Sequence, residues 1–567
     1  MRRLIRTVMT LLTIMLMAGF CQGCGQTGGR QEAKEDIDVT ENAEETKEDD
    51  QSAKEAARAS DEASPAADED NGQQDETSYK GPLKLVIENK SHEEYKEPDS
   101  YNVLMSGSYA KAYLADECKV AYPELEKSLE AFNKQQEEEY LKTYEEYLNE
   151  AKSWYEEAED KESFAQYSLD KEIDITRADD AFLCIRVNES DYMGGAHGSY
   201  GSGGYNFDSV SGKELTLKDV IPDIEALRTV VKDKIVEKYS DSILLDSLDE
   251  SIPEYLTGEA NQGCSWFITP DGVDIYFGIY QLGAYASGTQ TVSITYDEHP
   301  ELFFDGFRKQ EDNYVEKVSI WDTITTDING DGTKDTLMIE PETDDYDWVN
   351  SLYITVNGEK NTMEVYGYDT TPYLVHVGGK TYIYVHMTME NDYSTTRAFR
   401  VNGNKVEMIG EYGGYITGDL PVPDYESDWI TTWEAPFTSP SDIYIGDIIQ
   451  IFSTHTGIAK AYINDNGELI KPEDYYYAMK SDDYNMTSKK DLTADMVDKE
   501  SLEVASEKVT VPAKTRLSVY GTKGEDIVDL IDEKGNIYRF SIKTGDWPQT
   551  IDGTDIEELF DGIMFAG

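Results

Sequence analysis

Apolar positions along this chain change period several times. Val8 to Phe20 is largely apolar for about 13 residues, too short for a helix that stays across a bilayer, which needs roughly 20. Over 31–80 the apolar side chains larger than Ala are Ile37, Val39 and Tyr79, so no core is expected there. Alternation at Val103, Met105, Gly107 and Tyr109 predicts strands within 82–115. Tyr122-Pro123-Glu124 then opens a helix with Pro in its first turn. Leu125, Leu129, Phe132, Tyr140, Tyr144, Leu148, Ala151, Tyr155 and Ala158 continue it at helical spacing, broken at Gln136, which predicts one long helix or two joined pieces with charged outer faces. Its tyrosine stripe reads as packing.

Strands are expected again at 171–176 and 180–187, the second carrying Cys184 in an apolar run. Residues 204–208 and 213–218 flank Ser211-Gly212 and read as a hairpin. Ile224, Leu227, Val231 and Ile235 mark a second amphipathic helix. A Pro270-Asp271-Gly272 turn folds 265–277 into a hairpin, and 291–296 closes the unit. Beyond it only strands are expected, among them 352–356, 381–386, 398–401, 509–511, 517–519, 527–530 and 537–542. The fold class is α+β and multidomain: an α+β N-terminal ectodomain over 81–305 with a long helix and antiparallel strands, a β-rich domain over 306–504, and a small β unit over 505–567. That last unit loosely resembles a bacterial SH3-like barrel, in which Trp547 is either a groove residue or core, core being favoured.

Charge sharpens the first eighty residues. Arg2, Arg3 and Arg6 before the apolar run make a secretory n-region. The following Gly19-Phe20-Cys21-Gln22-Gly23-Cys24 resembles a bacterial lipobox, whose thiol receives lipid. Cys24 follows the small Gly23, whereas Cys21 follows bulky Phe20, so Cys24 is the expected lipidation site and 1–23 the lipoprotein signal peptide. Cys21 and Gln22 depart from the usual pattern, and plain secretion is the alternative. Residues 24–80 read as a disordered acidic tether: 31–80 hold 18 acidic and 5 basic residues, too polar to offset chain entropy. An interaction tail is the other reading. The whole chain carries a formal charge of −64, which excludes nucleic acid as a partner and suits cations or cationic proteins. Cys118, Cys184 and Cys264 are an odd set without a Cys-x-x-Cys, so this is not a disulfide scaffold.

Gly194-Gly195-Ala196-His197-Gly198, then Tyr205-Asn206-Phe207-Asp208 and 211–221, resembles the extracytoplasmic domain pair shared by RsiV-type anti-sigma factors and PdaC-type peptidoglycan deacetylases. The later Phe267…Asp271-Gly272…Tyr276-Phe277…Ala284-Tyr285-Ala286-Ser287-Gly288 fits the same pair, so the resemblance spans about 85–305. It implies direct lysozyme binding, as in the RsiV-type members, and a non-catalytic module, as in the PdaC type, where a separate domain is the catalyst. Neither activity carries over whole. Only the few residues before the apolar run could hold a sigma factor. No two of His92, His197, His299, His376, His386 and His455 have the His-x-x-x-His spacing of the deacetylase metal site. Gly194, Gly195, His197 and Gly198 are either a bend needing unusual backbone angles, with His197 plugging it, or a ligand contact; the bend is favoured because no nucleophile accompanies the histidine.

The sharpest chemical pattern is Asp327-Ile-Asn329-Gly-Asp331-Gly332-Thr333-Lys-Asp335. Oxygen donors at positions 1, 3, 5 and 9, a carbonyl at 7 and Gly at 6 suit a hard cation. Met338 stands where an EF-hand has its bidentate Glu, so the loop instead resembles the calcium loops of FG-GAP/VCBS-type repeats, with modest affinity and a structural role for Ca2+. An acidic turn without an ion is the alternative. Asn464 to Glu468 reads as a hairpin turn. Altogether the expected function is a lipid-anchored, extracytoplasmic module that binds or senses a cell-wall component such as peptidoglycan, or a lysozyme-like cationic protein, without turnover. The alternative is a peptidoglycan- or glycan-modifying enzyme with an unrecognised carboxylate site.

Overall fold

A computed structural model of the chain describes residues 82–565 except 98–100, 258–262, 345, 347, 391–392, 419–429, 480–485, 500 and 546. The segments expected as signal peptide (1–23) and tether (24–80), with Cys24, lie outside the described residues.

The N-terminal sheet begins with β1 (Leu85–Tyr95) and β2 (Val103–Leu114), paired antiparallel as the alternation implies. One unbroken helix, Pro123–Glu157, then crosses over to β3 (Tyr167–Ala178), which runs parallel to β2. A parallel neighbour requires such a crossover. The helix buries Leu125, Leu129, Phe132, Tyr140 and Tyr144. The stripe continues through Gln136 because the amide is buried and satisfied, donating to Tyr205 Oη at 2.8 Å. Gly107 on β2 admits the tyrosines: a Cβ there would lie 2.3 Å from Tyr140 Oη and 2.5 Å from Tyr144 Cε2. The parallel ladder covers only Met105–Ser108. Farther along β2, Asn133 takes over, accepting from the Ala112 N–H at 2.9 Å and donating to its carbonyl at 2.8 Å. This answers the demand that buried main-chain groups be paired.

β4 (Phe182–Tyr192) and β5 (Ser199–Asp208) complete this sheet antiparallel. The expected strand at 213–218 is absent. A single bridge, Phe207 to Glu214, is followed by a short helix, Leu217–Val220. Thr216-Leu-Lys-Asp219 is a capping box, with Asp219 Oδ2 accepting from the Thr216 N–H at 2.7 Å, and helix initiation prevails over hairpin pairing. Helices Ile224–Tyr239 and Leu248–Thr257 pack Leu227, Val231, Ile235 and Ile252 against a small sheet of β6 (Ser265–Ile268), β7 (Gly272–Phe277) and β8 (Gln290–Thr295). Asn206 of β5 joins the two sheets by bonding the Trp266 carbonyl (3.0 Å) and the Ile268 N–H (2.8 Å). Arg177, buried, stacks over Phe182 and pairs with Asp179 at 2.8 Å.

The rest is a layered β stack. β9 (Tyr314–Lys317) joins β14 (Thr370–Val377), β15 (Lys380–Thr388), β16 (Ser394–Asn402) and β17 (Lys405–Gly413) in a middle sheet. One face shares a core with β10 (Ile324–Thr326), β11 (Asp335–Thr343), β12 (Val349–Val356) and β13 (Glu359–Gly367). The other packs on β20 (Ile443–Ile451) and β21 (Ser453–Ile463), whose sheet also holds β18 (Tyr415–Thr417), β22 (Leu469–Ile470), β23 (Tyr475–Ala478) and β24 (Met486–Ser488). Burial on both faces explains the continuous apolar run Tyr382-Ile-Tyr-Val385, whereas β12, covered on one side, alternates.

Packing crosses both expected domain boundaries. β19 (Ile430–Glu434) pairs antiparallel with β1 and forms the edge of the N-terminal sheet. The C-terminal core draws Phe452, Met486, Leu492 and Ala494 together with Leu517, Leu530 and Phe540. β25 (Leu492–Val497) pairs with β26 (Val504–Val511) across position 505. Trp547, favoured above as core, is instead 67% exposed, with its ring against the edge of Phe565.

Candidate functional site

The glycine-rich segment after β4 turns the chain into β5. Of its glycines only Gly194 has a left-handed backbone, at φ +75°, so Gly195 and Gly198 do not supply the unusual angles expected of them. A side chain at Gly194 would be strained and would meet Tyr167 Cε1 at 3.2 Å. The Tyr192 hydroxyl closes the bend by donating to the Gly195 carbonyl at 3.0 Å.

His197 does not plug this bend; it is exposed. Its ring lies flat on Tyr285, centroids 3.8 Å apart at 21°. Nδ1 is 3.0 Å from the Gly198 carbonyl, so it carries the proton, and Nε2 faces the Tyr280 hydroxyl at 3.5 Å. Tyr200 and Tyr280 flank Tyr285 with centroids at 6.0 and 5.7 Å. Tyr280 is 58% exposed and Tyr200 42%. The loop after β7 presents two of these rings, and Gln290, buried, holds it by donating to the carbonyls of Ser287 and Gly288 at 2.9 and 2.8 Å. The outcome is a surface patch of four rings drawn from two distant segments. Imidazole and phenol faces of this kind receive guanidinium and ammonium groups. His197 is marked in the sequence by its glycine-rich run, whereas nothing local to Tyr285 points back to it.

The acidic loop joins β10 to β11, which pair antiparallel. Its side chains bond its own backbone. Asp327 Oδ1 accepts from the N–H groups of Gly330 and Asp331 at 2.8 and 3.1 Å, and Oδ2 from Gly332 at 2.7 Å. Asn329 Oδ1 accepts from Asp331 at 2.9 Å, and Asp331 Oδ1 from Thr333 at 2.8 Å. Asp335 is 5% exposed and accepts amide hydrogens from Asn329 (3.1 Å) and Asn357 (2.6 Å). Gly330 and Gly332 make the turn at φ +77° and +83°. The donors are oxygen, as a hard cation needs, and Asp327 Oδ2 and Asp331 Oδ1, each bonded by one N–H, keep a lone pair for a metal, whereas Asp327 Oδ1 accepts two. No three carboxylate, imidazole or thiol groups converge at metal-binding distance among the described residues, so a cation would draw on Asn329 and the Thr333 carbonyl as well. Asn464 to Glu468 is a hairpin turn closed the same way, Asn464 Oδ1 accepting from Asn466 and Glu468.

The remaining candidates are quiet. Cys118 and Cys184 are buried, and Cys184 and Cys264 are held protonated by burial, which pushes both thiols up to about 12. No described helix is long and apolar enough to cross a membrane.

Comparison with known proteins adds to this geometry. Residues 111–200 match the family described as Deacetylase PdaC, and residues 217–297 match the family described as Protein of unknown function (DUF3298). His197 and Tyr200 fall in the first match and Tyr280 and Tyr285 in the second, so the patch forms where the two meet. No curated protein matches the chain. Among solved structures, a member of the DUF3298 family from Bacteroides fragilis is 20% identical, with 39% of this chain and 94% of that one covered and a TM-score of 0.31. A DUF3298 family protein from Pseudomonas aeruginosa is 17% identical, with 40% and 96% covered and a TM-score of 0.27. Both family matches point to a protein of the cell envelope.

Proposed function

We propose that this chain is an extracytoplasmic lipoprotein that binds a cationic, lysozyme-like protein through the His197–Tyr285 patch without chemical turnover. The observation behind this reading is an exposed face of four aromatic rings on a chain of charge −64. The long-range field draws a basic partner in, and the rings take its arginines and lysines at contact. Lipid on Cys24 would hold the protein at the membrane, with the acidic segment 24–80 lifting the folded part away. The 327–335 loop takes Ca2+ at extracellular concentration and stiffens the β10–β11 hairpin. The C-terminal β strands serve as an SH3-like accessory.

Surface plasmon resonance with a cationic lysozyme tests the main reading. Binding at low salt that weakens steeply as salt rises is expected, since the attraction is screened within about 10 Å at 0.1 M. Absence of binding at low salt removes the reading. Release of sugar from purified peptidoglycan would replace it with a glycan-modifying enzyme. Mass spectrometry of the processed amino terminus decides the anchor: Cys24→Ala should abolish lipidation and Cys21→Ala should not.

A further inference from the structure

The sheet β10–β13 turns one face to the core and the other to solvent. Val349, Leu352, Ile354, Val356 and Val365 supply the core side. The solvent side is nonetheless aromatic at one corner. Trp348, just before β12, stacks with Tyr366 (centroids 4.4 Å apart, 19°) and with Tyr368 (4.0 Å, 29°). Tyr366 is 51% exposed. The ladders on both sides of β12 shift register opposite 349–351, as a bulge does where it re-aims a side chain. Asp344 Oδ1 fixes the approach by accepting from the Trp348 N–H at 3.1 Å. The indole is therefore placed on the outside, by a chain that already has its apolar interior without it.

Carboxylates rim this corner. Glu364 precedes Tyr366 by two residues on the same face of β13. Asp344 and Glu390 lie near Tyr368: burial raises its hydroxyl, and the charges of these two acids raise it further. All three acids are exposed, and among the described residues none of them is paired with a lysine or arginine. Nor does any described lysine or arginine stand over the three rings. Farther along β12 the same face shows what such a corner takes. Tyr353 has Lys360 Nζ 3.3 Å from its ring centroid and donates its hydroxyl to Glu342. There ring, cation and carboxylate complete one another. At Trp348 the chain supplies the rings and the carboxylates, and the cation has to come from a partner.

We propose that this corner binds an arginine-bearing peptide segment, the guanidinium stacked on the exposed Tyr366–Trp348 rings and its N–H groups turned to the carboxylates around them. Arginine fits because its planar fork stacks on a ring and donates sideways at once, which a compact ammonium does not. The site shares no residue with the His197–Tyr285 patch and does not depend on it.

A chain this acidic attracts any polycation, so the test has to report from the corner itself. The protein holds seven tryptophans. With 15N-labelled tryptophan, the indole signal that Trp348→Phe removes belongs to Trp348. Titration with a Gly-Arg repeat peptide should shift that signal, and a Gly-Lys peptide of equal length should need about two- to fivefold more to do so, the worth of a cation–π contact at an exposed site. Tyr366→Ala, a change at a half-exposed ring, should move the arginine midpoint by a similar factor and abolish the preference over lysine. Glu364→Gln should weaken both peptides. Tyr285→Ala should leave the Trp348 titration unchanged, so failure at either patch is seen separately. No shift of the Trp348 signal at about 1 mM peptide, or equal midpoints for the two peptides, would overturn the proposal. So would a shift caused by a neutral oligosaccharide and not by the arginine peptide, which would make this face a glycan platform.

Discussion

The His197 patch and the 327–335 loop both begin as glycine-punctuated runs of polar residues, yet they are built in opposite ways. The patch is assembled by tertiary structure. His197 and Tyr280 are 83 residues apart in sequence, and His197 stacks on Tyr285 while Tyr200 and Tyr280 meet that ring edge-on and tilted. The loop is assembled by itself: the bonds among its own side chains and backbone span at most six residues, and its last acid then anchors it to Asn357. A composite surface tolerates loss of a member and loses only recognition. A self-closed loop whose final carboxylate is buried carries part of the fold.

Asp335→Ala is the harshest test of that difference. It takes the acceptor from the half-buried Asn329 amide and empties a buried side-chain site, while Asn357, exposed, still donates to Asn404 at 3.1 Å; one unpaired polar group costs about 1–3 kcal/mol. A loss of about 1–3 kcal/mol in urea unfolding is expected, with lysozyme binding unchanged once the protein is folded. Tyr285→Ala should do the reverse. Removing the ring on which His197 lies should weaken the lysozyme complex at least about tenfold, as a central aromatic does in interfaces, while the melting temperature stays within about 2 °C because the ring is at the surface. Equal effects of both variants on stability would erase the contrast.

How much of this was legible beforehand follows the same division. The long helix was readable because its stripe is local and periodic, and Gln136, polar in sequence, is buried on the same face. β15 was readable because burial on both faces leaves a continuous apolar run. β19 was not: Ile-Thr-Thr-Trp-Glu has no clear period, and its partner β1 lies hundreds of residues earlier. The 213–218 strand failed because a capping box outweighed alternation. The loop residues were found together because they are consecutive. The patch was only half visible, since the contact between His197 and Tyr285 is a property of the folded sheets.

Calcium sharpens the comparison from the other side. An extracellular-type site binds at about 0.1–1 mM, so about 10 mM Ca2+ should raise the melting temperature by a few degrees through mass action. Asp327→Ala should remove that shift, and Tyr285→Ala should keep it. No shift in the wild-type protein would leave the loop as a turn held by its own hydrogen bonds.

The smallest expected effect is a difference in pH response between the two halves. In the patch-bearing half, burial pushes Asp170 on β3 and Asp274 on β7 up to about 6 from the ordinary 3.8, against hydrogen bonds from Ser108 and Ser293. A carboxyl raised in the folded state holds its proton more tightly there than in the unfolded chain. Its contribution to stability is therefore full below about pH 4 and is lost as pH rises through 6. In the loop-bearing half, burial pushes His386 on β15 and His455 on β21 down to about 4 from 6.5. An imidazole lowered in the folded state stays neutral while the unfolded chain takes up a proton, so its contribution is full above pH 6.5 and is lost as pH falls through 4. The two slopes oppose each other over the same window. Asp274→Asn should remove a term that falls with pH, so the melting temperature should climb more steeply from pH 4 to 6.5 than in the wild type. His455→Gln should remove a term that rises with pH and flatten or invert that climb. Calorimetric scans across this range check both signs, and a shift of the same sign from the two variants would mean that these buried groups do not set the pH response of their halves. Asp174, which burial alone would raise, is held below 3.8 by Lys317 and Arg186, so its window lies at lower pH and leaves this test undisturbed.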